Sequence, residues 1–264
     1  MNRANITPLV LTYNEQPNLA RCLARLAWAR EVVLVDSFST DQTIEIARRF
    51  PAVRVVQRKF DSFAAQCNFG LSLVDTEWVL SLDADYLLSS ELSDELRALV
   101  PPEEVAGYSA EFCYCINGKS LRATLYPART VLYRRQLASY TDDGHAHRVQ
   151  VLGKVQPLRG RILHDDRKPL SRWLTSQDRY AKLEADKLTR TPASALGLND
   201  RIRKTIILGP PVVLLYTLFV RGVILDGWAG WYYAFQRALA ETLLSLRLIE
   251  AKLGVSSSDT NPGQ

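Results

Sequence analysis

Two carboxylates one residue apart, Asp83 and Asp85, follow the apolar run Trp78-Val79-Leu80-Ser81-Leu82. A run of this kind suits a strand buried in a parallel sheet, and an Asp-x-Asp turn at its end offers oxygen atoms to a hard divalent cation. Oxygen ligands favour Mg²⁺ or Mn²⁺, the cations that accompany phosphates. A solvated turn is the competing reading, because aspartate is favoured there for its local hydrogen bonds. Further along, His164 follows a second apolar run, 158–163, and precedes Arg167 and Lys168. Its imidazole could be a third metal ligand and the two cations could meet a diphosphate; a helix cap with exposed charges is the alternative. Between these stretches lie Asp142, Asp143 and His145, groups able to take a proton from an attacking hydroxyl. Asp143 is the preferred base, with Asp142 and His145 next, and a polar turn with one satisfied histidine is the bland alternative.

Such groups act together only if the chain brings them to one place. Residues 7–12 form a short apolar run, after which Leu19, Cys22, Leu23 and Leu26 recur at helical spacing, with Asn14 as a cap and Pro17 in the first helical turn. The unit then repeats: a strand at 31–36, a helix at 43–50, a strand at 53–58, a helix from a Ser62 cap to Leu73, and the strand that ends in Asp83. Strands and helices alternating over short connections imply right-handed crossovers and a parallel, doubly wound sheet. Thr12, Asp36, Arg58 and Asp83 then stand at strand carboxyl ends, the edge where open α/β sheets bind ligands. Residues 96–104 are expected to close a helix at Pro101-Pro102. Strands at 107–114 and 130–135, with Asn117-Gly118 as a hairpin turn, would form an antiparallel part of the sheet.

Composition narrows the classes. The chain has 264 residues, a net charge of +5 and four cysteines. Its size supports a substantial core and its charge permits an anionic partner. Cys113-x-Cys115 lacks a second pair at zinc-ligand spacing, so reduced thiols and a reducing cytosol are expected. The N-terminal residues show no basic segment followed by an apolar signal core, which places the start of the domain on the cytosolic side. Neither a Gly-x-Gly-x-x-Gly turn nor a Walker-type loop occurs, which disfavours a dinucleotide oxidoreductase or a P-loop NTPase. A nucleotide could instead be held by an acidic side chain on its ribose or base, with its diphosphate on a metal; Asp36, Asp83 and Asp85 supply those parts. The basic residues form no single reading helix, so nucleic acid is not an expected partner.

Four groups of residues occur in order: Thr12-Tyr13-Asn14-Glu15, then Val35-Asp36-Ser37-x-Ser39-x-Asp41-x-Thr43, then Phe63-Ala64-x-Gln66-x-Asn68, then Leu82-Asp83-Ala84-Asp85. Together they resemble the motifs of family 2 glycosyltransferases with the GT-A fold, and within that family the lipopolysaccharide core glucosyltransferase branch. The resemblance implies an α/β fold with a GT-A-type, Rossmann-like, mainly parallel sheet and a helical, partly apolar C-terminal appendage. It implies that Thr12, Asn14 and Glu15 line the base and ribose pocket, that Asp36 contacts the uracil or ribose, and that Gln66 and Asn68 lie near the diphosphate. Asp83 would sit near the ribose or metal and Asp85 on the metal; the donor contact from Arg167 rests on its place after His164 and not on the resemblance. The activity implied is metal-dependent, inverting transfer of a sugar from a nucleotide-diphosphate donor, a UDP-sugar first, to a glycan or lipid-linked acceptor of the bacterial envelope. A non-catalytic scaffold retaining the fold, a nucleotidyltransferase and a metal-dependent hydrolase are the alternatives. Two departures stand out. Tyr86 occupies a position where this branch commonly continues with an acidic residue, and His145-Ala146-His147 stands where a His-Glu pair is common, which leaves the base open.

The expected organisation is a catalytic domain over 1–190, divided into a nucleotide-sugar half (1–100) and an acceptor half (101–190), a helical region over 191–255 and a disordered tail over 256–264. Residues 206–225 are apolar but interrupted by Gly209-Pro210-Pro211 and Arg221, too broken for a clear membrane span. With the aromatics that follow and an amphipathic helix through Leu253, residues 201–253 read as a peripheral anchor on the cytosolic face of the inner membrane. A helical hairpin packed on the catalytic domain or at a dimer interface is the alternative.

Overall fold

The structure, a computed structural model, describes residues 4–143 and 146–254. The chain divides into two compact units that meet at Lys168/Pro169.

The first unit opens with the expected alternation. Strands β1 (Ile6–Thr12), β2 (Val32–Asp36), β3 (Val53–Gln57) and β4 (Trp78–Asp83) are separated by helices α1 (Leu19–Ala24), α2 (Thr43–Arg48) and α3 (Phe63–Ser72). They pair in parallel in the order β3-β2-β1-β4. Alternate strand residues feed two cores, as the two-residue period of a strand requires. Val10, Leu34, Leu80 and Leu82 face one, and Leu9, Val33, Val35 and Val79 the other. Ser62 caps α3, its hydroxyl accepting from the Ala65 amide at 3.2 Å. Asn14 does not cap α1: it adopts a left-handed conformation (φ 54°) and Asn18 takes the cap position. Short polar asparagine tolerates that backbone, which frees its side chain for the facing loop.

Beyond β4 the sheet becomes mixed. Strands β5 (Tyr86–Leu88), β6 (Val105–Ile116), β7 (Lys119–Ser120), β8 (Arg129–Arg134) and β11 (Lys154–His164) extend the order as β4-β8-β6-β11-β5, with β7 on β6. Asn117 and Gly118 both have positive φ, 49° and 82°, the conformation a two-residue hairpin turn demands. Helix α4 (Ser90–Ala98) begins under a Ser89 cap. It ends before Glu104 because Leu99 turns extended ahead of Pro101-Pro102. Strands β9 (Ala138–Asp143) and β10 (Ala146–Val151) form a separate antiparallel pair whose Tyr140 joins the core beneath α3.

The strand order carries a geometric constraint. Only Ala84 and Asp85 separate β4 from β5, so the strand ends lie within about 10 Å of each other. Four strand spacings in a flat sheet would separate them by about 19 Å. Strands β8, β6 and β11 therefore curl until the end of β11 stands against the Asp83-Ala84-Asp85 turn. That curl is what delivers His164.

The second unit is helical: α5 (Leu170–Arg190), α6 (Leu198–Lys204), α7 (Gly209–Leu215) and α8 (Trp228–Lys252). Ala181, Ala185 and Leu188 of α5 pack against Leu244 and Leu248 of α8, and Arg247 Nε donates to Asp178 Oδ1 at 2.9 Å. Residues 206–225 do not form one helix. Pro210 and Pro211 open α7, a wider turn covers Tyr216–Val220, and Gly222 breaks the chain with a left-handed φ of 71°. Among the described residues no helix is long and apolar enough to cross a membrane.

Candidate active site

Thr12, Asp36 and Asp83 end β1, β2 and β4 on one edge of the sheet. The loops that follow them are stitched together. The Asn14 amide donates to Ser39 Oγ at 2.7 Å, Asn14 Oδ1 accepts from the Thr40 amide at 2.7 Å, and the Glu15 amide donates to Thr43 Oγ1 at 2.7 Å. Asp36 is fully buried and its carboxylate accepts from the Ser39 amide and hydroxyl and from Gln57 Nε2. Gln66 is buried too: its amide group donates to Ser37 Oγ and to the Arg58 carbonyl, and its oxygen accepts from Arg58. In this structure Gln66 braces the loop that follows β2.

Asp85 is the chemical centre of the edge. It is 9% exposed, its Oδ2 lies 3.2 Å from His164 Nε2, and its Oδ1 is buried with no hydrogen-bond partner. The ring of His164 is fenced by Tyr86, Tyr114 and Tyr126, with centroids 5.2, 4.8 and 5.1 Å away. Tyr86 is thus a packing residue of this wall, joined to Tyr126 by a 2.5 Å hydroxyl contact. Burial pushes the Asp85 carboxyl up, but His164 and Lys168 outweigh it and hold the group at about 2.

Behind Asp85 lies a network that the sequence did not reveal. Asn18 is fully buried; its Nδ2 donates to Glu15 Oε2 (2.8 Å) and Asp166 Oδ1 (2.9 Å), and its Oδ1 accepts from Arg21 (2.7 Å) and the Arg167 amide (2.9 Å). Lys168 Nζ reaches Glu15 Oε1 at 2.6 Å and Asp166 Oδ2 at 3.5 Å. Asp165, 2% exposed, takes Arg21 at 2.6 Å and the fork of Arg167 at 2.9 and 3.0 Å. Arg167 is therefore turned to a protein carboxylate. Burial and the Asp85 charge push Glu15 up to about 7 against the pull of Lys168. Burial opposes the Lys168 charge, but Asp85, Glu15 and Asp166 together hold its ammonium well above the usual lysine range.

Asn68 reaches the second half of the site. Its Nδ2 donates to the Tyr140 carbonyl at 3.0 Å and its Oδ1 accepts from the Tyr140 amide at 2.9 Å. Tyr140 in turn donates its hydroxyl to Ser81 Oγ at 2.9 Å, two residues before Asp83. Asn68 and Tyr140 thus clamp β9, the strand that carries the backbone of Asp142 and Asp143, beside β4. His145 lies outside the described residues, as do the side chains of Asp142 and Asp143. Removing both bonds in Asn68→Ala should cost about 2 kcal/mol, because two side-chain-to-backbone hydrogen bonds that hold Tyr140 are lost. Urea unfolding would read that loss, and a variant as stable as wild type would show the clamp to be idle.

Among the described residues no three His, Cys, Asp or Glu side chains converge as a complete metal cage. The residues do fit a cation that keeps other ligands: Asp85 has an unpartnered buried oxygen beside His164, and Mg²⁺ is commonly held by one or two carboxylates plus water and phosphate oxygens. All four cysteines are reduced thiols.

The model of the family described as glycosyl transferase family 2 matches residues 9–154, more than half of the chain. The chain belongs to glycosyl transferase family 2. An uncharacterized glycosyltransferase of Rickettsia typhi is 25% identical over 94% of this chain and 88% of its own length. The lipopolysaccharide core biosynthesis glycosyltransferase LpsC of Rhizobium meliloti is 24% identical over 93% of this chain and 92% of its own. Among solved structures, S. aureus TarS 1-349 in complex with UDP-GlcNAc is similar with a TM-score of 0.48 and 16% identity, over 95% of this chain and 92% of that one. The family match spans β1 to β10 almost entirely, and so includes the stitched loops, the Asp83-x-Asp85 turn and the clamp on β9. His164 and Lys168 lie beyond it, while Glu15, Asn18 and Arg21 of the network behind Asp85 lie within it.

Proposed function

We propose that this family 2 glycosyltransferase moves a sugar, with inversion, from a UDP-sugar to a glycan or lipid-linked acceptor in envelope polysaccharide or lipopolysaccharide synthesis. The observation that carries the reading is Asp85, a buried carboxylate with one oxygen unpartnered, standing beside His164 at the edge where β1, β2 and β4 end. A catalyst of this reaction must neutralise a departing diphosphate and remove a proton from the acceptor hydroxyl. Asp85, His164 and Asp83 are the residues that would hold a divalent cation, which supplies positive charge to the diphosphate when bound. Thr12, Asn14, Glu15 and Asp36 shape the nucleoside side of the edge. Asp36 and Glu15 act there through the loops they hold as much as by direct contact. The acceptor hydroxyl attacks the anomeric carbon, the bond to the diphosphate oxygen breaks, and the proton passes to a base on the β9–β10 hairpin. Asp143 is the first candidate, then Asp142 and His145. The envelope acceptor is supported by the Rhizobium relative's name, and it would place the enzyme on the cytosolic face of the inner membrane.

A ligand that binds only the folded state stabilises it by RT ln(1 + [L]/Kd), about 2.7 kcal/mol at a hundredfold excess over Kd. Thermal unfolding with a panel of nucleotides and nucleotide sugars, with and without Mn²⁺ or Mg²⁺, tests the donor site. A concentration-dependent rise with UDP or one UDP-sugar, greater with metal and lost in Asp85→Ala, is expected. No shift with any nucleotide would leave the scaffold reading in its place.

A further inference from the structure

The C-terminal unit keeps an apolar surface in water. Residues 205–236 include two charged side chains, Arg221 and Asp226, of which Asp226 is buried. The chain from α7 onward doubles back along α8. Gly209 lies beside Glu241, whereas a Cβ on Gly230 would fall 1.7 Å from the Val223 carbonyl oxygen, so the returning turn rests directly on the glycine. Tyr233, Ala234, Leu218 and Val223 fill the inside of this hairpin. The outside is no less apolar. Leu215, Phe219 and Val220 on the first arm and Trp228, Trp231 and Phe235 on the second recur at helical spacing, and all are exposed, Phe219 by 61% and Val220 by 70%.

We propose that this face seats the enzyme in the interfacial layer of an anionic lipid bilayer. Large aromatic side chains beside an aliphatic stripe match the headgroup level of a membrane, where rings are favoured. Cations border the patch: Arg201 and Lys204 sit in the last turn of α6, just ahead of it, and the exposed Arg221 lies within it. That arrangement complements anionic headgroups, which attract basic residues near an inserted apolar face. A second copy of the chain suits it less well. In a two-fold contact the same patch meets itself, which brings Arg221 of each copy toward the other's basic border. The hairpin therefore lies in the plane of the interface, and an acceptor carried on a lipid would be presented at the same surface. The membrane proposed above rests on the transfer reading. The lipid-binding face does not, and the two fail separately.

The test uses the full chain and extruded vesicles of phosphatidylcholine alone or mixed with phosphatidylglycerol, read by co-sedimentation. Wild type should bind the mixed vesicles more strongly than the neutral ones, with binding weakened by salt. Phe219→Ser combined with Val220→Ser should lower the partition coefficient about tenfold or more, since both side chains lose most of their transferable apolar surface. Trp228→Ser combined with Trp231→Ser should do the same from the other arm, a second reading in case the first pair fails to fold. Arg221→Glu should remove the preference for anionic lipid. Donor-induced thermal shifts should be unchanged in all three. Failure of wild type to bind either vesicle at low salt would overturn the proposal, as would undiminished binding by both double variants. So would light scattering that shows a dimer, dissolved by the Phe219/Val220 pair, with no capture by lipid.

Discussion

Asp85→Asn should lower the turnover of the donor by roughly 10³-fold, the scale of losing one preorganised charge contact to a transition state. The variant keeps the size of the side chain and the contact to His164 but no longer offers a charged oxygen where Oδ1 is buried and unpartnered. Release of the nucleotide from the donor in the absence of acceptor measures this step without knowledge of the acceptor. The fold should survive with a smaller loss. A carboxyl held at about 2 when folded, against 3.8 for the unperturbed group, is net stabilising at neutral pH. The gain is roughly 2 kcal/mol, fully present above the unfolded value and lost as pH falls toward the folded one. A lower melting temperature with retained cooperativity therefore accompanies the loss of activity. A second readout separates chemistry from packing: Asp85 helps to raise Glu15, so the titration of Glu15 should move down in the variant. An Asp85→Asn enzyme that turns over like wild type would remove this carboxylate from the site.

How far this site could be read in the sequence depends on how local its determinants are. Thr12, Asp36 and Asp83 were legible as edge residues because each ends a short apolar run, and runs separated by helices leave parallel strands little choice of direction. The pairing of Asp85 with His164 was not legible as a contact. It depends on the curl of β8, β6 and β11, which follows from strand order rather than from any residue near either partner. Asn18 looked like one more polar residue ahead of a helix. Its importance comes from four hydrogen bonds, two of them to groups beyond residue 165, and no periodicity reports such a reach. Arg167 reads as a donor contact in a line of charges, but its neighbour Asp165 is close enough to engage it, which a list of charges does not rank. Gln66 and Asn68 illustrate the limit of a motif. The motif singles out their positions, while their partners, Arg58 with Ser37 and the Tyr140 backbone, emerge only once α3 packs on the sheet. The apolar stretch 206–225 was ambiguous by hydropathy. Gly209-Pro210-Pro211 and Gly222 are the residues that resolved it, by opening one helix and breaking the chain after it.

Lys168→Met should be strongly destabilising, and its cost should depend on pH. The ammonium sits among three carboxylates, Glu15, Asp85 and Asp166, and is 17% exposed. Taking the cation out of a largely buried pair leaves uncompensated charge, a loss of about 3 kcal/mol or more. The sign of the pH dependence follows from Glu15. Its carboxyl titrates at about 7 in the folded protein and at 4.5 when unperturbed, so between those values the fold holds a proton that the unfolded chain has released. The stability contributed by Glu15 therefore rises as pH falls through that window. At pH 8 the wild-type side chain is charged and needs Lys168. At pH 5 it is neutral and needs the cation less, although Asp85 and Asp166 still do. Lysine's own contribution is present throughout, because its raised folded value makes it stabilising at every pH below its unfolded one. Urea unfolding of wild type and Lys168→Met in chelator-treated buffer should give a larger difference at pH 8 than at pH 5, and adding Glu15→Gln should shrink the gap between the two pH values. Equal losses at both would mean that the 2.6 Å contact does not carry the coupling. Lys168 also fastens the segment that begins at His164 to the loop that begins at Thr12, so a destabilised tie loosens both walls around Asp85. Donor affinity should weaken along with the fold, and the pH at which it weakens most should follow the ionisation of Glu15.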